Sequence, residues 1–586
     1  MVSDYKNNVN DNNHKIYIKR KTAMKEKIIQ LISDKIEGVD IEDIASTIEI
    51  PPRPDMGDFA FPCFRLAKVM RKAPNMIAAD IKEKIGDVDF LERIEVAGAY
   101  LNFYVKKDLF VKSMIENALE DNFGGSSEGE GQTICIDYSS PNVAKNFHVG
   151  HLRTTIIGNS LYKIFSKLGY NVVRINHLGD WGTQFGKLIV AYKSWGSKEA
   201  VEKDGIAELM KLYVKFHDEA DKNPELVDEA RAWFHKMETG DEEALGIWQW
   251  FKDISLVEYK RTYDLLGMDF DYYLGESFYM DKCQAVVDRI NDAHLLKESD
   301  GAMIVDLSEY DMAPCIITKK DGSSIYATRD LAAIFYRKET HNFSKCLYVT
   351  GQEQKLHFAQ VFKVVELLGN EWAKDQLVHI PYGLVSLEGA KLSTRSGNII
   401  YAEDILKDAI SKSLEIITEK SPNLPNKEEV AKMVGVGSVL FNDLYNQRIK
   451  DVSFSWDKVL NFDGETGPYV QYTHARCCSV VRMSEDFDPS APIDYSLITE
   501  QDAIELLKEI SKFPTVIRDA AEKYEPSVIA RFSVNVAQAF NKFYNSTRIN
   551  VEDKELKNAR VMLTYLTKKA IHDSLELLGI NSPEAM

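Results

Sequence analysis

No apolar run in this 586-residue chain reaches the roughly 18 residues that a membrane-spanning helix needs, so no membrane partner is expected. The N-terminus has no charged-then-apolar pattern, and no secretory leader is expected from it. Cysteine is scarce: seven residues, none spaced as C-x-x-C. That spacing gives no structural zinc and reads as reduced thiols in a cytoplasmic protein. The adjacent Cys477 and Cys478 are expected on opposite sides of a helix or strand. There is no internal repeat and no heptad pattern, which excludes solenoids and coiled coils. G-x-S-x-G, H-E-x-x-H and G-x-x-x-x-G-K-[ST] are all missing, which excludes a serine-hydrolase elbow, a zinc-protease helix and a Walker loop. Basic excess is missing too. With 72 Lys and Arg against 90 Asp and Glu the net charge is −18, which argues against a protein that coats nucleic acid and against a DNA partner. It leaves room for local basic surfaces, because phosphate contacts need only a few well-placed cations.

What is present is ample core material, 45% hydrophobic, in a chain long enough for several domains. Residues 1–20, rich in Asn, Asp and Lys, read as a frayed tail. Residues 21–106 read as a small α+β domain, helices first and strands after. Its segment PPRPDMGDFAFPCFRLAKVMRKAP leads into a helix on which Arg65, Lys68, Arg71 and Lys72 share one side. That side is either an ordinary solvated face or a surface for a nucleic-acid backbone. Residues 107–131 read as a helix and the glycine- and acid-rich linker GGSSEGEGQ. A catalytic α/β region is expected over 132–400, with βα halves at 132–176 and 346–387 and a mostly helical insertion over about 178–345. A helical stem over 401–460 and an α-helical domain over 461–586 complete the chain.

The richest stretch is DYSSPNVAKNFHVGHLRTTIIGNSL, residues 137–161. The apolar Ile134, Cys135 and Ile136 predict a buried strand. A polar turn carrying Pro141, Asn142 and Lys145 follows. Leu152, Ile156, Ile157, Leu161, Ile164, Phe165 and Leu168 then recur at helical spacing, Gly169 stops the helix, and Val172 and Val173 begin another strand. The result is a βαβ unit with His148, Gly150 and His151 at the helix N-terminus, where free N–H groups and the helix dipole favour phosphate. The two imidazoles are three residues apart and can point the same way as donors to a triphosphate, while Gly150 leaves the backbone open to the nucleotide. Two further segments fit the same chemistry. EGAKLSTRSGN, with Gly389, Lys391, Ser393, Thr394, Arg395 and Gly397, reads as a positive, glycine-hinged loop able to close over phosphates. Alone it is a solvated turn. CLYVT followed by GQEQKLHFAQVF puts Gly351 at a strand end, where open α/β sheets bind ligands. Glu353 or Gln352 can face a ribose hydroxyl there, and His357 the nucleotide.

His148-Val149-Gly150-His151 resembles the HIGH signature of class I aminoacyl-tRNA synthetases. The longer string SSPNVAKNFHVGHLRTTIIG resembles the arginine-specific branch, the arginyl-tRNA synthetases, and the likeness runs from about residue 20 to Met586. The resemblance implies a Rossmann-type parallel-sheet catalytic domain, a small N-terminal domain that touches the tRNA elbow, and a C-terminal helical bundle that reads the anticodon. It implies an ATP-dependent ligase acting on L-arginine and tRNA(Arg), working as a monomer, with Mg²⁺ accompanying ATP and no zinc. AKLSTRS resembles the KMSKS loop, but Thr394 stands where the second lysine is usual. Lys145 is the proposed replacement, with Arg395 behind it. The catalytic set implied is therefore His148, His151, Lys391, Lys145 and Arg395. ATP is expected on Gly150, His148, His151, Gly351, Glu353, His357, Lys391 and Ser393.

A guanidinium is planar, permanently charged and rich in donors, so its pocket needs a carboxylate, a second acceptor and a flat wall. In TKKDGSSIYATRDLAAIFYR, Lys320 to Ser323 read as a hairpin turn, Tyr326 as the end of a strand, and Asp330 as lying in the first turn of a helix. An acid there also has the ordinary explanation of the helix dipole. By the resemblance Tyr326, Asp330 and Gln354 form the arginine pocket, Asp137 and Asn142 hold the α-amino end, and Ser139 also binds the arginine. RINHLGDWGTQFGKL offers His177, Asp180, Trp181 and Gln184, which either line the site or staple a loop around a buried Trp. Tyr469, Tyr472, His474 and Arg476 fall in one helix, where tyrosines and an arginine suit unstacked bases or simply a core. The resemblance assigns Tyr469, Tyr472, Arg476, Tyr544 and the terminal Met586 to the anticodon loop. The alternative from another class is a non-catalytic tRNA-binding paralogue that kept the fold.

Overall fold

The computed structural model describes residues 23–36, 38–51, 53, 56–320, 325–387 and 401–586. These fall into two compact units, one of residues 1–128, 476–515 and 535–571, the other of residues 129–475, 516–534 and 572–586.

In the first unit Phe59–Pro62 (β1), Leu91–Ala97 (β2) and Tyr100–Val105 (β3) form an antiparallel sheet of order β1-β3-β2. Helices Ala23–Ser33 (α1), Ile41–Thr47 (α2), Leu66–Met70 (α3) and Pro74–Ile85 (α4) accompany it, so strands and helices interleave rather than run helices first. Its core holds Ile28, Ile44, Phe61, Ile77, Ile81 and Phe103. The basic helix is shorter than its spacing predicts. Arg65 ends a 3-10 turn, α3 stops at Met70, and Arg71 takes φ +49°. Lys72 then pairs with Asp80 of α4, so the four cations do not share one helical side. The expected linker is packed as well. After Lys107–Leu119 (α5), Phe123, Gly124 and Ser126 are buried.

The second unit is built on five strands: Thr133–Asp137 (β4), Asn171–Asn176 (β5), Tyr272–Tyr273 (β6), Lys345–Gly351 (β10) and Leu377–Tyr382 (β11). They form one sheet, parallel throughout, of order β11-β10-β4-β5-β6. Crossover helices Val149–Lys167 (α6) and Lys355–Leu367 (α7) cover the sheet. Strands buried on both faces read as continuous apolar runs, which is why TICID and KCLYVTG were legible. All seven residues of the apolar stripe predicted for α6 are buried. Chain order runs outward from β4 in one direction and from β10 in the other, so the switch point lies between them. The turn into α6 and the turn at Gly351 both leave the sheet at that place.

Between β5 and β10 come helices including Thr183–Trp195 (α8) and Glu242–Leu266 (α9). Leu296–Ser299 (β7), Ala302–Val305 (β8) and Cys315–Thr318 (β9) form a three-stranded antiparallel sheet there. The helix Tyr326–His341 (α10) follows. The segment is not wholly an insertion: β6 completes the main sheet, and Leu331 and Ile334 of α10 share a core with Cys135, Ile175 and Cys346. After residue 400 the chain is mainly helical, with Ala402–Lys420 (α11), Lys427–Tyr445 (α12), Gly467–Arg482 (α13) and Lys554–Leu577 (α14) prominent. One strand departs from that expectation. Val452–Phe454 (β13) pairs in parallel with Val385–Leu387 (β12). Cys477 and Cys478 are both buried on α13, being about 100° apart around a helix rather than opposed.

Candidate active site at the switch point

His148 caps α6. Its Nδ1 accepts the Gly150 N–H at 3.0 Å, which puts the ring proton on Nε2. The ring stacks on that of His151 with centroids 3.9 Å apart. A Cβ at residue 150 would lie 2.9 Å from the His148 ring, so this close turn requires glycine. Burial, helped by the charge of Lys145, lowers His148 below its ordinary pKa, and burial with both neighbours lowers His151 much further. The pair are therefore neutral N–H donors and not cations. His151 Nδ1 is buried with no hydrogen-bond partner.

The turn between β4 and α6 is tightly wound. Ser139, Ser140 and Ala144 take φ of +71°, +49° and +61°. Asp137 is buried. Its Oδ2 pairs with Arg337 of α10 at 2.8 Å and its Oδ1 accepts Ser140 Oγ at 2.9 Å. Ser139 is also enclosed, with Tyr263 Oη at 2.7 Å and Thr155 Oγ1 at 2.8 Å. Asp137 is expected at the α-amino end and Ser139 among the arginine-binding residues. The structure turns them into the supports of the turn, because buried polar atoms take the nearest partners. Asn142 remains exposed. Lys145 is half-buried, its pKa lowered by desolvation, and its ammonium pairs with no group among the described residues.

At the end of β10, Gly351 leads into a 3-10 turn in which Gln352, Glu353 and Gln354 are all exposed. A side chain at Gly351 would collide with the Glu353 carboxylate. His357, expected at the nucleotide, instead meets Asp330 Oδ2 through Nε2 at 2.6 Å, which ties α7 to α10. Tyr326 begins α10 rather than ending a strand, and Asp330 lies one turn further along the same helix face. Tyr326 is 63% exposed. The neighbouring Arg329 makes a buried ion pair with Glu276, whose carboxyl burial raises to about 7. Lys391, Ser393, Thr394, Arg395 and Gly397, and Asp321 to Ser323 of the expected hairpin, lie outside the described residues. The chain that resumes at residue 401 is anchored at this site. Tyr401 bridges His148, and the Ala402 N–H reaches Phe147 O at 3.0 Å.

Four buried partners escaped sequence reasoning: Arg153, Tyr259, Glu276 and Arg337. Nothing local marks them, since their partners lie far away in sequence. Of the segment 174–188, His177 Nδ1 sits 3.2 Å from Arg337. Asp180 accepts from Lys252 at 2.6 Å and from the Ser277 N–H at 2.8 Å. Trp181 packs on Trp248. Gln184 has no side-chain hydrogen bond among the described residues. Asp180 and Trp181 thus staple the loop.

In the C-terminal helices Tyr472 is exposed, Tyr469 half-buried, and His474 buried, with its Nδ1 2.9 Å from Pro583 O. His474 is therefore a packing residue. Arg476 donates to Asn541 at 2.7 Å and lies 5.3 Å from the ring of the exposed Tyr544. Met586 packs against the cluster of Ile417, Val430, Ala431 and Val434.

Three family descriptions match: the arginyl tRNA synthetase N terminal domain over residues 23–105, the catalytic domain of class I (R) tRNA synthetases over 114–456, and the DALR anticodon binding domain over 470–586. The parallel sheet with its switch-point turns and these domains define a class I aminoacyl-tRNA synthetase. Arginine–tRNA ligase of Alkaliphilus metalliredigens is 55% identical over 96% of this chain and 99% of its own. That of Clostridioides difficile is 53% identical over 95% and 99%. The Thermus thermophilus arginyl-tRNA synthetase structure has the same fold, at TM-score 0.79 and 24% identity over 96% of this chain and 99% of its own. The chain belongs to the arginyl-tRNA synthetase family.

Proposed function

We infer that this protein is an arginine–tRNA ligase. It joins L-arginine to ATP as arginyl-adenylate, releases pyrophosphate, and passes the arginyl group to the terminal ribose 2′-hydroxyl of tRNA(Arg). The observation that carries the reading is that the turn into α6 and the turn after β10 leave the sheet at one switch point, with the His148–His151 pair at the first and the His357–Asp330 pair beside the second.

In the first step a carboxylate oxygen of arginine attacks the α-phosphorus, and the bond to the pyrophosphate oxygen breaks. No protein nucleophile is consumed, so rate comes from alignment and from stabilising charge on phosphate oxygens. His148, through its Nε2–H, and His151 supply neutral donors. Lys145 supplies positive charge where Thr394 replaces a lysine, with Lys391, Ser393 and Arg395 closing from the loop. ATP enters as its Mg²⁺ complex, and no carboxylate cage in the protein is invoked. Gly150 and Gly351 carry no side chain that would crowd the nucleotide, and Glu353 meets the ribose. Asp330 receives the guanidinium, Tyr326 is its wall and Gln354 a further acceptor, while Asn142 takes the α-amino group. Tyr469, Tyr472, Arg476 and Tyr544 meet the anticodon loop, and residues 21–106 the tRNA elbow. The protein works as a cytoplasmic monomer.

ATP–pyrophosphate exchange with each amino acid, with and without tRNA, tests this. Exchange confined to arginine is expected. Folded protein that exchanges with no amino acid would instead favour a binding protein.

A further inference from the structure

We propose that Tyr259 and Ser255, one turn apart on α9, are positioning residues that set Lys145 at the reacting phosphate. The inference rests on the reading of Lys145 given above.

The turn that carries Lys145 cannot be expected to hold its own shape. Ser139, Ser140 and Ala144 all lie in the left-handed region, which non-glycine residues adopt only when the surroundings enforce it. Helix α9 provides the enforcement. Ser255 Oγ donates to Phe251 O at 2.7 Å, and this orients its free lone pair to accept the Ala144 N–H at 3.0 Å. Tyr259 Oη lies 2.6 Å from Asn142 O and 2.7 Å from Lys145 O, so one buried hydroxyl proton is shared between the two carbonyls. A turn further on, Tyr263 Oη lies 2.7 Å from Ser139 Oγ. Positions 255, 259 and 263 are spaced by four and so lie along one helix face, presenting a ladder of hydroxyls to the turn. Tyr259 and Tyr263 also flank Phe147, whose ring stands 5.4 Å from that of His151, so the same face supports the imidazole pair.

The two ends of this arrangement differ in a way that points to function. Every backbone group named above is satisfied, yet Lys145, at the end of the turn, is half-buried and its ammonium pairs with nothing among the described residues. Holding a charged group partly out of water without a partner is costly, and a fixed backbone is what prevents it from swinging into solvent. A ligand oxyanion arriving at the switch point would be its missing partner.

A double-mutant cycle in ATP–pyrophosphate exchange tests the proposal on the full-length enzyme. Tyr259→Phe keeps the ring and removes the hydroxyl. It should lower kcat by about 10- to 100-fold, as a misplacement near 1 Å does, with a smaller change in the arginine KM, because Asn142 is held by the same hydroxyl. Ser255→Ala should act in the same direction and serves as the second variant should Tyr259→Phe fold poorly. Tyr259→Phe combined with Lys145→Ala should be no slower than Lys145→Ala alone, a result that a general loss of stability would not give. If Lys145→Ala is slow while Tyr259→Phe and Ser255→Ala match wild type, or if the two losses multiply, the positioning role is overturned and Lys145 keeps its own. If Lys145→Ala matches wild type, the catalytic reading of Lys145 fails, and the role of the ladder falls with it.

Discussion

Burial lowers the pKa of both His148 and His151, and that has a consequence for stability. Their folded pKa values lie below the ordinary 6.5, so between the two values the unfolded chain binds protons that the folded chain refuses. The stability at stake is fully present above about pH 6.5 and is lost as pH falls through the folded values. Each such imidazole contributes a slope of at most about 1.4 kcal/mol per pH unit. Urea unfolding at pH 7.5 and 5.5 should show this loss in the wild type and a shallower one in His151→Gln, and equal slopes would contradict the neutral pair. The motif was legible in the sequence because four adjacent residues carry it. Its protonation was not, because the rings that bury His151 come from Phe147 and, behind it, from Tyr259 and Tyr263, far along the chain.

At the scale of elements, α6 does more than present imidazoles. From its first turns Arg153 donates to Leu384 O at 3.1 Å, Arg448 O at 3.1 Å and Lys450 O at 3.0 Å, and faces Asp443 of α12 at 3.4 Å. It therefore fixes the β12–β13 junction, beyond which the chain enters the proposed phosphate-closing loop. Burial raises the Asp443 carboxyl to about 6. Arg153→Leu removes the partner of that carboxyl and of Lys450 O, while Leu384 O and Arg448 O keep the Val452 and Gly383 N–H groups, and should cost about 3–5 kcal/mol in chemical denaturation. Arg153→Leu with Asp443→Leu should recover part of the loss, and a fully additive double variant would refute the coupling. Long periodic elements such as α6 and the buried strands β4 and β10 were readable from pattern. The failures share a cause. At Tyr326, Arg71, GGSSEGEGQ and β13, local composition suggested one state and distant packing selected another.

For the whole molecule, a net charge of −18 must coexist with tRNA binding. Recognition through a few phosphate contacts and exposed tyrosines such as Tyr472 and Tyr544 should give a weak salt dependence, with log K against log[salt] no steeper than about −5. A filter-binding slope beyond about −8 would require a broad cationic surface instead. The division into a parallel-sheet catalytic region and a helical C-terminal region was visible in the sequence. The two-unit organisation was not, because each unit is assembled from separated stretches of chain.

The proposed selectivity for arginine rests on the Asp330 carboxylate. In steady-state exchange, Asp330→Asn should raise the arginine KM by about 100-fold, the scale of losing one partner of a desolvated charge pair, while the ATP KM stays within about threefold. An arginine KM equal to that of the wild type would contradict it.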